Sequence, residues 1–165
     1  MKYLLDSNAF IQAHKTYYGM LICPGFWDWI LHANNNKDIS SIKFVQDELE
    51  TGNDELAKWA KDNSHIFLPI DDESTQQAMQ QVVNHVYSLT NLKTGAVDQF
   101  LKGADPWLIA KAMVSNATVV TQETIDLNAK KIIKIPNVCQ HFRINYINTF
   151  ELLHLLQAQF IMSNS

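Results

Sequence analysis

Residues 3–11, "YLLDSNAFI", run from apolar residues through an acid into a helix-patterned segment. The run 2–6, "KYLLD", reads as a short buried strand ending at Asp6, and 7–15, "SNAFIQAHK", reads as the helix that follows. Ser7 or Asn8 is expected at its cap. A strand that delivers its chain straight into a helix is the start of a βα unit, so the rest of the sequence is judged by whether the unit repeats.

It does repeat. Residues 24–36, "PGFWDWILHANNN", open with Pro24 and read as a second helix. "ISSIKF" (39–44) is expected to be a strand and "FVQDELE" (44–50) a helix. "DELAKWAKDN" (54–63) is a helix and "HIFLPI" (65–70) a strand. In residues 73–89, Ala78, Val82, Val83 and Val86 recur at helical spacing. "TNLKTGAV" (90–97) is a loop, "ADPWLIAKAMVSN" (104–116) a helix and "ATVVT" (117–121) a strand. After the polar segment 122–131 come a short helix at 135–142, an edge strand "INYI" at 144–147 and a last helix from Thr149. Alternating strands and helices imply parallel strands joined by right-handed crossovers. The fold class expected is α/β: a three-layer α/β/α sandwich around a mostly parallel sheet of four or five strands, built as one domain over residues 1–165.

The composition agrees with a globular domain: 47% hydrophobic and 18% charged residues over 165 positions. No apolar run approaches the roughly 18 residues that span a bilayer, and the acid at position 6 interrupts any secretory pattern. A cytoplasmic protein with no membrane partner is expected. Cys23 and Cys139 are too few for a disulfide framework, and six scattered histidines show no zinc-ligand spacing. The net charge of −4 argues mildly against a general nucleic-acid binder, but acids gathered around a metal ion lower net charge without excluding a nuclease.

In parallel α/β sheets, ligands bind beyond the carboxyl ends of the strands. Asp6 lies at such an end, with a turn or cap role as its plainer reading. In the helix at 44–50, Val45 and Leu49 share a face and Glu48 lies on the same side, whereas Asp47 and Glu50 fall away from it. Asp105 heads its helix before Pro106, where it can cap the free backbone N–H groups. The positive end of the helix dipole also favours its ionised form. Glu123 follows two residues after Thr121, with Asp126 as its rival. Four acids at corresponding strand ends repel one another unless a divalent cation is held among them, and oxygen-only ligation points to Mg²⁺ or Mn²⁺.

Taken in order, "YLLDSNAFI", "VQDELETG", "ADPWLIAKAM" and "VVTQE" resemble the PIN-domain ribonucleases, closest to the small toxin-like (VapC-like) proteins of prokaryotic toxin–antitoxin pairs. The resemblance covers nearly the whole chain. It implies metal-dependent endonucleolytic hydrolysis of RNA to 5′-phosphate and 3′-hydroxyl ends. It also implies Asp6, Glu48 and Asp105 as metal ligands, Glu123 as a fourth catalytic acid at a position more often Asp, and Asn8 and Thr121 as supporting polar groups. An antitoxin partner and a homodimer are implied as well. Alternatives are an RNA-processing nuclease of the same fold without a toxin role, or a catalytically silent module that binds RNA or protein. A dehalogenase-like phosphatase would carry a second Asp two residues after the first, where this chain has Asn8.

Outside the acids, "GFWDWILH" (25–32) is the segment expected to form a dimer or partner surface through Phe26, Trp27 and Trp29. Lys93, Lys102, Lys111, Lys130, Lys131 and Lys134 are candidate phosphate contacts, each equally well read as part of a solvated face.

Overall fold

The computed structural model describes residues 2–161, so residue 1 and residues 162–165 of the expected 1–165 domain lie outside the described part. Five strands form one all-parallel sheet: β1 (Tyr3–Leu5), β2 (Ile39–Ile42), β3 (Phe67–Leu68), β4 (Thr118–Val120) and β5 (Tyr146–Ile147), in the order β3-β2-β1-β4-β5. β1 lies at the centre, with Tyr3 opposite Ile39 on one side and opposite Thr118 on the other. That position explains its composition. A strand flanked by strands and covered on both faces needs side chains that tolerate burial in both directions, and Leu4 and Leu5 are both buried.

The helices are α1 (Ser7–Lys15), α2 (Pro24–Asn35), α3 (Lys43–Glu50), α4 (Glu55–Asp62), α5 (Glu73–Ser88), α6 (Ala96–Lys102), α7 (Asp105–Ser115), α8 (Ile135–His141) and α9 (Thr149–Leu155). They flank the sheet to give the three-layer α/β/α sandwich expected from the alternation. α1, α3 and α4 pack on one another, while α7 packs against α5, α6 and α8 and against β2 and β4. The inward helix faces are carried by Phe10, Ile30, Val45, Val82, Leu108 and Ile109, which are essentially inaccessible to solvent. Each such side chain contributes about 1.5–3 kcal/mol through burial.

From β1 the chain moves outward to β2 and β3 on one side, and β4 leads to β5 on the other. The connections therefore diverge between β1 and β4, and a crevice opens there at the carboxyl ends of the strands.

Several local features differ from the expectation. β2 stops at Ile42, and Lys43 and Phe44 already belong to α3. β3 is only two residues long, preceded by a 3₁₀ turn at Ser64–Ile66. α6 arises in a stretch partly read as loop, entered through Gly95 at φ +90°, a conformation that costs a residue without Cβ little. α1 begins at Ser7 itself, with Asp6 in the cap position and no side-chain capping bond. Ser7 and Asn8 are therefore not its caps.

The aromatic segment is also corrected. Phe26 and Trp27 are buried, Phe26 stacked on Tyr18 and Trp27 edge-on to Trp59, and the Trp27 Nε1–H donates to the Tyr18 carbonyl at 2.7 Å. Only Trp29 is partly exposed. The rings form core because α2 lies over the sheet and turns both onto the side that packs inward. The exposed apolar residues nearby are Tyr17, Leu21 and Ile22, in the connection before α2.

Candidate functional site

Asp6 leaves the carboxyl end of β1 and Thr121 leaves the carboxyl end of β4, the two strands that border the crevice. Pairing holds them together: the Asp6 N–H donates to the Val120 carbonyl at 2.9 Å, and the Thr121 hydroxyl donates to Asp6 Oδ2 at 2.9 Å. The Ser7 hydroxyl donates to the other oxygen, Oδ1, at 3.3 Å. Asp6 is fully buried. Burial pushes its carboxyl up to about 6 despite the Thr121 hydrogen bond, and the charges of Glu123 and Glu48 push in the same direction.

Glu48 arrives from α3, which is anchored in the core by Val45 and Leu49. It points into the crevice, while Asp47 faces solvent and pairs with Lys43 at 3.1 Å, one helical turn away. Glu50 is engaged by the Gln46 side chain at 2.6 Å. The Ala104 N–H donates to Glu48 Oε1 at 2.8 Å. Gly103 sits beside that carboxylate, and a Cβ there would stand 3.5 Å from Glu48 Oε1.

Asp105 is not a cap. Ala104 occupies the N-cap position of α7, Asp105 is its first helical residue, and its carboxylate makes no capping bond. The backbone donor at the cap position is satisfied instead by Glu48, 56 positions earlier in the chain. The Asp105 carboxylate is left without a hydrogen-bond donor among the described residues and lines the crevice. Burial pushes it up to about 8, reinforced by the charges of Asp6, Glu123 and Glu48. Asp6 and Asp105 raise one another, because like charges at close range disfavour joint ionisation.

Glu123 lies in the segment after β4. Its Oε2 accepts the Ile135 N–H at 2.8 Å, and its own N–H donates to the Thr121 hydroxyl at 3.2 Å. Asp126, its rival, is exposed, and its carboxylate accepts the Asn128 N–H at 3.0 Å instead of lining the cleft. Glu48, Asp105, Glu123 and Asn8 line one cleft of about 310 Å³ that also takes in Ser7 and Gln99. Asp6 is fully buried and does not line the cleft, but its carboxylate lies within electrostatic reach of the other three acids.

Among the described residues, no group of three or more His, Cys, Asp or Glu side chains stands in a geometry ready to hold a metal ion. The hydrogen bonds give a reason. Glu48 and Glu123 each turn an oxygen toward a backbone amide, leaving Asp105 as the one carboxylate of the four that no donor holds.

Sequence reasoning missed Ser7 as a partner of Asp6, although its place directly after the acid was a usable signal. It also missed Gln99, which lies in α6 and carried no signal. Of the candidate lysines, Lys111 is committed to Asp72 at 2.6 Å and is largely buried, so it is not a free phosphate contact. Lys93, Lys102, Lys130 and Lys131 are exposed and form no ion pair among the described residues. No described helix is long and apolar enough to cross a membrane.

No curated protein matches this chain. A family model described as a domain of unknown function, DUF4411, matches residues 3–160. By that match over almost its whole length, the chain belongs to the DUF4411 family.

Proposed function

We propose that this protein is a divalent-metal-dependent endoribonuclease of the PIN type, hydrolysing RNA phosphodiester bonds to 5′-phosphate and 3′-hydroxyl ends. One observation carries the reading: four separate segments deliver acids to a single crevice at the strand ends, where burial and mutual repulsion hold Asp6 and Asp105 far above the usual carboxylate range. Structural ion pairs do not explain this, because no cation of the chain pairs with any of the four among the described residues.

The donor set fits Mg²⁺ or Mn²⁺: all oxygen, with one carboxylate free of hydrogen bonds. Asp6, Glu48 and Asp105 would hold the ion, with Glu123 at its edge. When bound, such an ion eases deprotonation of an attacking water and offsets charge building on the phosphate. The protein's own residues prepare the site. Ser7 and Thr121 fix the rotation of the Asp6 carboxylate, and Asn8 adds a polar group at the rim. The α7 N-terminus favours ionised Asp105. Burial and its acidic neighbours hold the Asp105 carboxyl above the usual carboxylate range, so loading an ion would favour its deprotonation and couple metal affinity to pH.

Cleavage of single-stranded RNA in Mg²⁺ or Mn²⁺, against EDTA and against Asp105→Asn, tests the proposal. A folded wild type that binds RNA but cleaves none in either metal would favour the catalytically silent module, a reading supported by the present engagement of Glu48 and Glu123 with backbone amides. The toxin role follows from the resemblance alone and predicts an inhibitory protein encoded beside this one. A homodimer, also implied by the resemblance, would draw on exposed Tyr17, Leu21 and Ile22 rather than on the buried Phe26 and Trp27.

A further inference from the structure

A second hollow, of about 250 Å³, lies against the acidic cleft. It is bounded by the C-terminal end of α5, the segment 127–134 and α8. Ile132 and Ile133 line both hollows, so a wall of two residues separates them. The interior is mostly apolar, formed by Leu89, Leu92, Leu127, Ile133 and Val138. Leu127 is 78% exposed and Ile132 42% exposed, which leaves unusually apolar surface at the mouth.

The rim has the opposite character. Lys134 lines it, and the Lys93 N–H donates to the Lys130 carbonyl at 2.7 Å, which brings a second stretch of chain and its lysine alongside. With Lys131, four cations gather here in a chain whose net charge is −4. The segment is held at both ends. Glu123 accepts the Ile135 N–H, and Asn137 exchanges two hydrogen bonds with the Asp126 backbone, at 3.1 and 2.8 Å. On the α5 side His85 forms part of the wall, backed face to face by His141 with ring centroids 3.6 Å apart.

We infer that this hollow is a nucleobase subsite: it seats one unpaired base of an RNA strand whose phosphodiester lies in the acidic cleft, while the lysines meet the flanking phosphates. The inference rests on the ribonuclease reading and names its substrate as single-stranded RNA. Size supports a single base, since sites for larger organic ligands begin at roughly 300 Å³. The chemistry supports a base as well. Apolar walls accept the π-face of any base, and Thr90 and Lys134 in the lining offer polar groups to its edge. A base stacked within a duplex could not enter. Lysines beside the hollow supply the phosphate attraction that the chain as a whole lacks.

The test uses methyl-labelled full-length protein in EDTA, titrated with each of the four nucleoside 5′-monophosphates, together with cleavage of single-stranded RNA in Mn²⁺. Two variants block the mouth: Ala129→Trp, and Thr90→Trp on the facing rim should the first fail to fold. The expected result is that nucleotides shift the Leu127 and Ile132 methyl signals of the wild type but not of the variant. The variant should raise KM for RNA by about tenfold with little change in kcat, and weaken any base preference next to the cut. No methyl shifts, with KM and preference unchanged in a folded variant, would overturn the subsite while active wild type leaves the ribonuclease reading standing. Methyl shifts in a protein that cleaves no RNA would keep the base site and remove the ribonuclease reading. Neither shifts nor cleavage would overturn both and return the hollow to a protein-facing role.

Discussion

Asp105→Asn separates a metal ligand from a residue that merely begins a helix, and its effect on stability follows from where the carboxyl group sits. The group's ordinary value is 3.8, and in the folded protein burial and three acidic neighbours raise it to about 8. An acid whose folded value lies above its unfolded one binds its proton more tightly in the fold. Its contribution to stability is therefore fully present below about pH 3.8 and is lost progressively as pH rises toward 8. Each pKa unit is worth about 1.4 kcal/mol, so at pH 7 the wild-type acid costs on the order of 4 kcal/mol relative to a neutral group of the same shape. Asn supplies that shape without the charge. For a chain of this size 1 kcal/mol moves Tm by roughly 2–4 °C, so the variant should melt roughly 10 °C above wild type at pH 7 in EDTA. The gap should close near pH 4. Adding Mn²⁺ should raise the wild-type Tm by mass action and lift the variant much less. Cleavage by the variant should fall on the order of a hundredfold or more. Thermal melts from pH 4 to 8, with and without Mn²⁺, run beside an RNA cleavage assay. Identical melting of the two proteins across that range in EDTA would refute the electrostatic reasoning, and near-normal cleavage by the folded variant would refute ligation.

Three other substitutions probe separate parts of the structure. Glu123→Gln keeps an acceptor for the Ile135 N–H but removes a charge that raises both Asp6 and Asp105. Carboxyl NMR titration should show both acids moving down, and cleavage should suffer less than in Asp105→Asn. Thr121→Val deletes the buried hydrogen bond to Asp6, so Asp6 should titrate above about 6. The fold should lose about 1–3 kcal/mol at higher pH, as read by denaturant melts, and a value for Asp6 that stays in place would mean the bond does not hold the carboxylate. Trp27→Ala should cost about 3–5 kcal/mol in the same melts without altering the oligomeric state seen by light scattering. A change of state at little cost in stability would restore Trp27 to a surface role.

The order of elements was legible because most of them carry their own local pattern. Leu4 and Leu5 in β1, and Val119 and Val120 in β4, are apolar without alternation because both faces of those strands are covered. In α5, Ala78, Val82 and Val86 mark the buried stripe at the expected spacing. The same periodicity selected Glu48 over Asp47, since Glu48 lies one helical turn from Val45 on the side that Val45 and Leu49 bury, whereas Asp47 lies opposite. Where little local pattern exists, the reading missed α6 and gave β3 bounds that were too wide. α6 is seven residues long and starts from a glycine turn, and β3 is a pair of residues held in place by β2. The aromatic segment misled because a dense group of rings looks the same in sequence whether α2 turns it toward the sheet or toward water.

The candidate site divides along the same line. Strand ends and helix faces are local properties, so the sequence by itself determined a parallel α/β chain and which acids stand where such folds bind ligands. What each carboxylate does with its oxygens was decided only by tertiary structure. Thr121 reaches Asp6 across 115 positions, and Ala104 reaches Glu48 across 56. The second contact leaves Asp105 without the capping role its place before Pro106 suggested. A distant glutamate satisfies the backbone donor at the α7 cap position, and the aspartate is left without a donor. Hydrogen bonds between distant segments depend on how the crossovers bring strand ends together, and burial depends on everything packed above them. Asp105 is therefore pushed up to about 8 first by burial and then by the charges of Asp6, Glu123 and Glu48, all of which arise only when the sheet assembles.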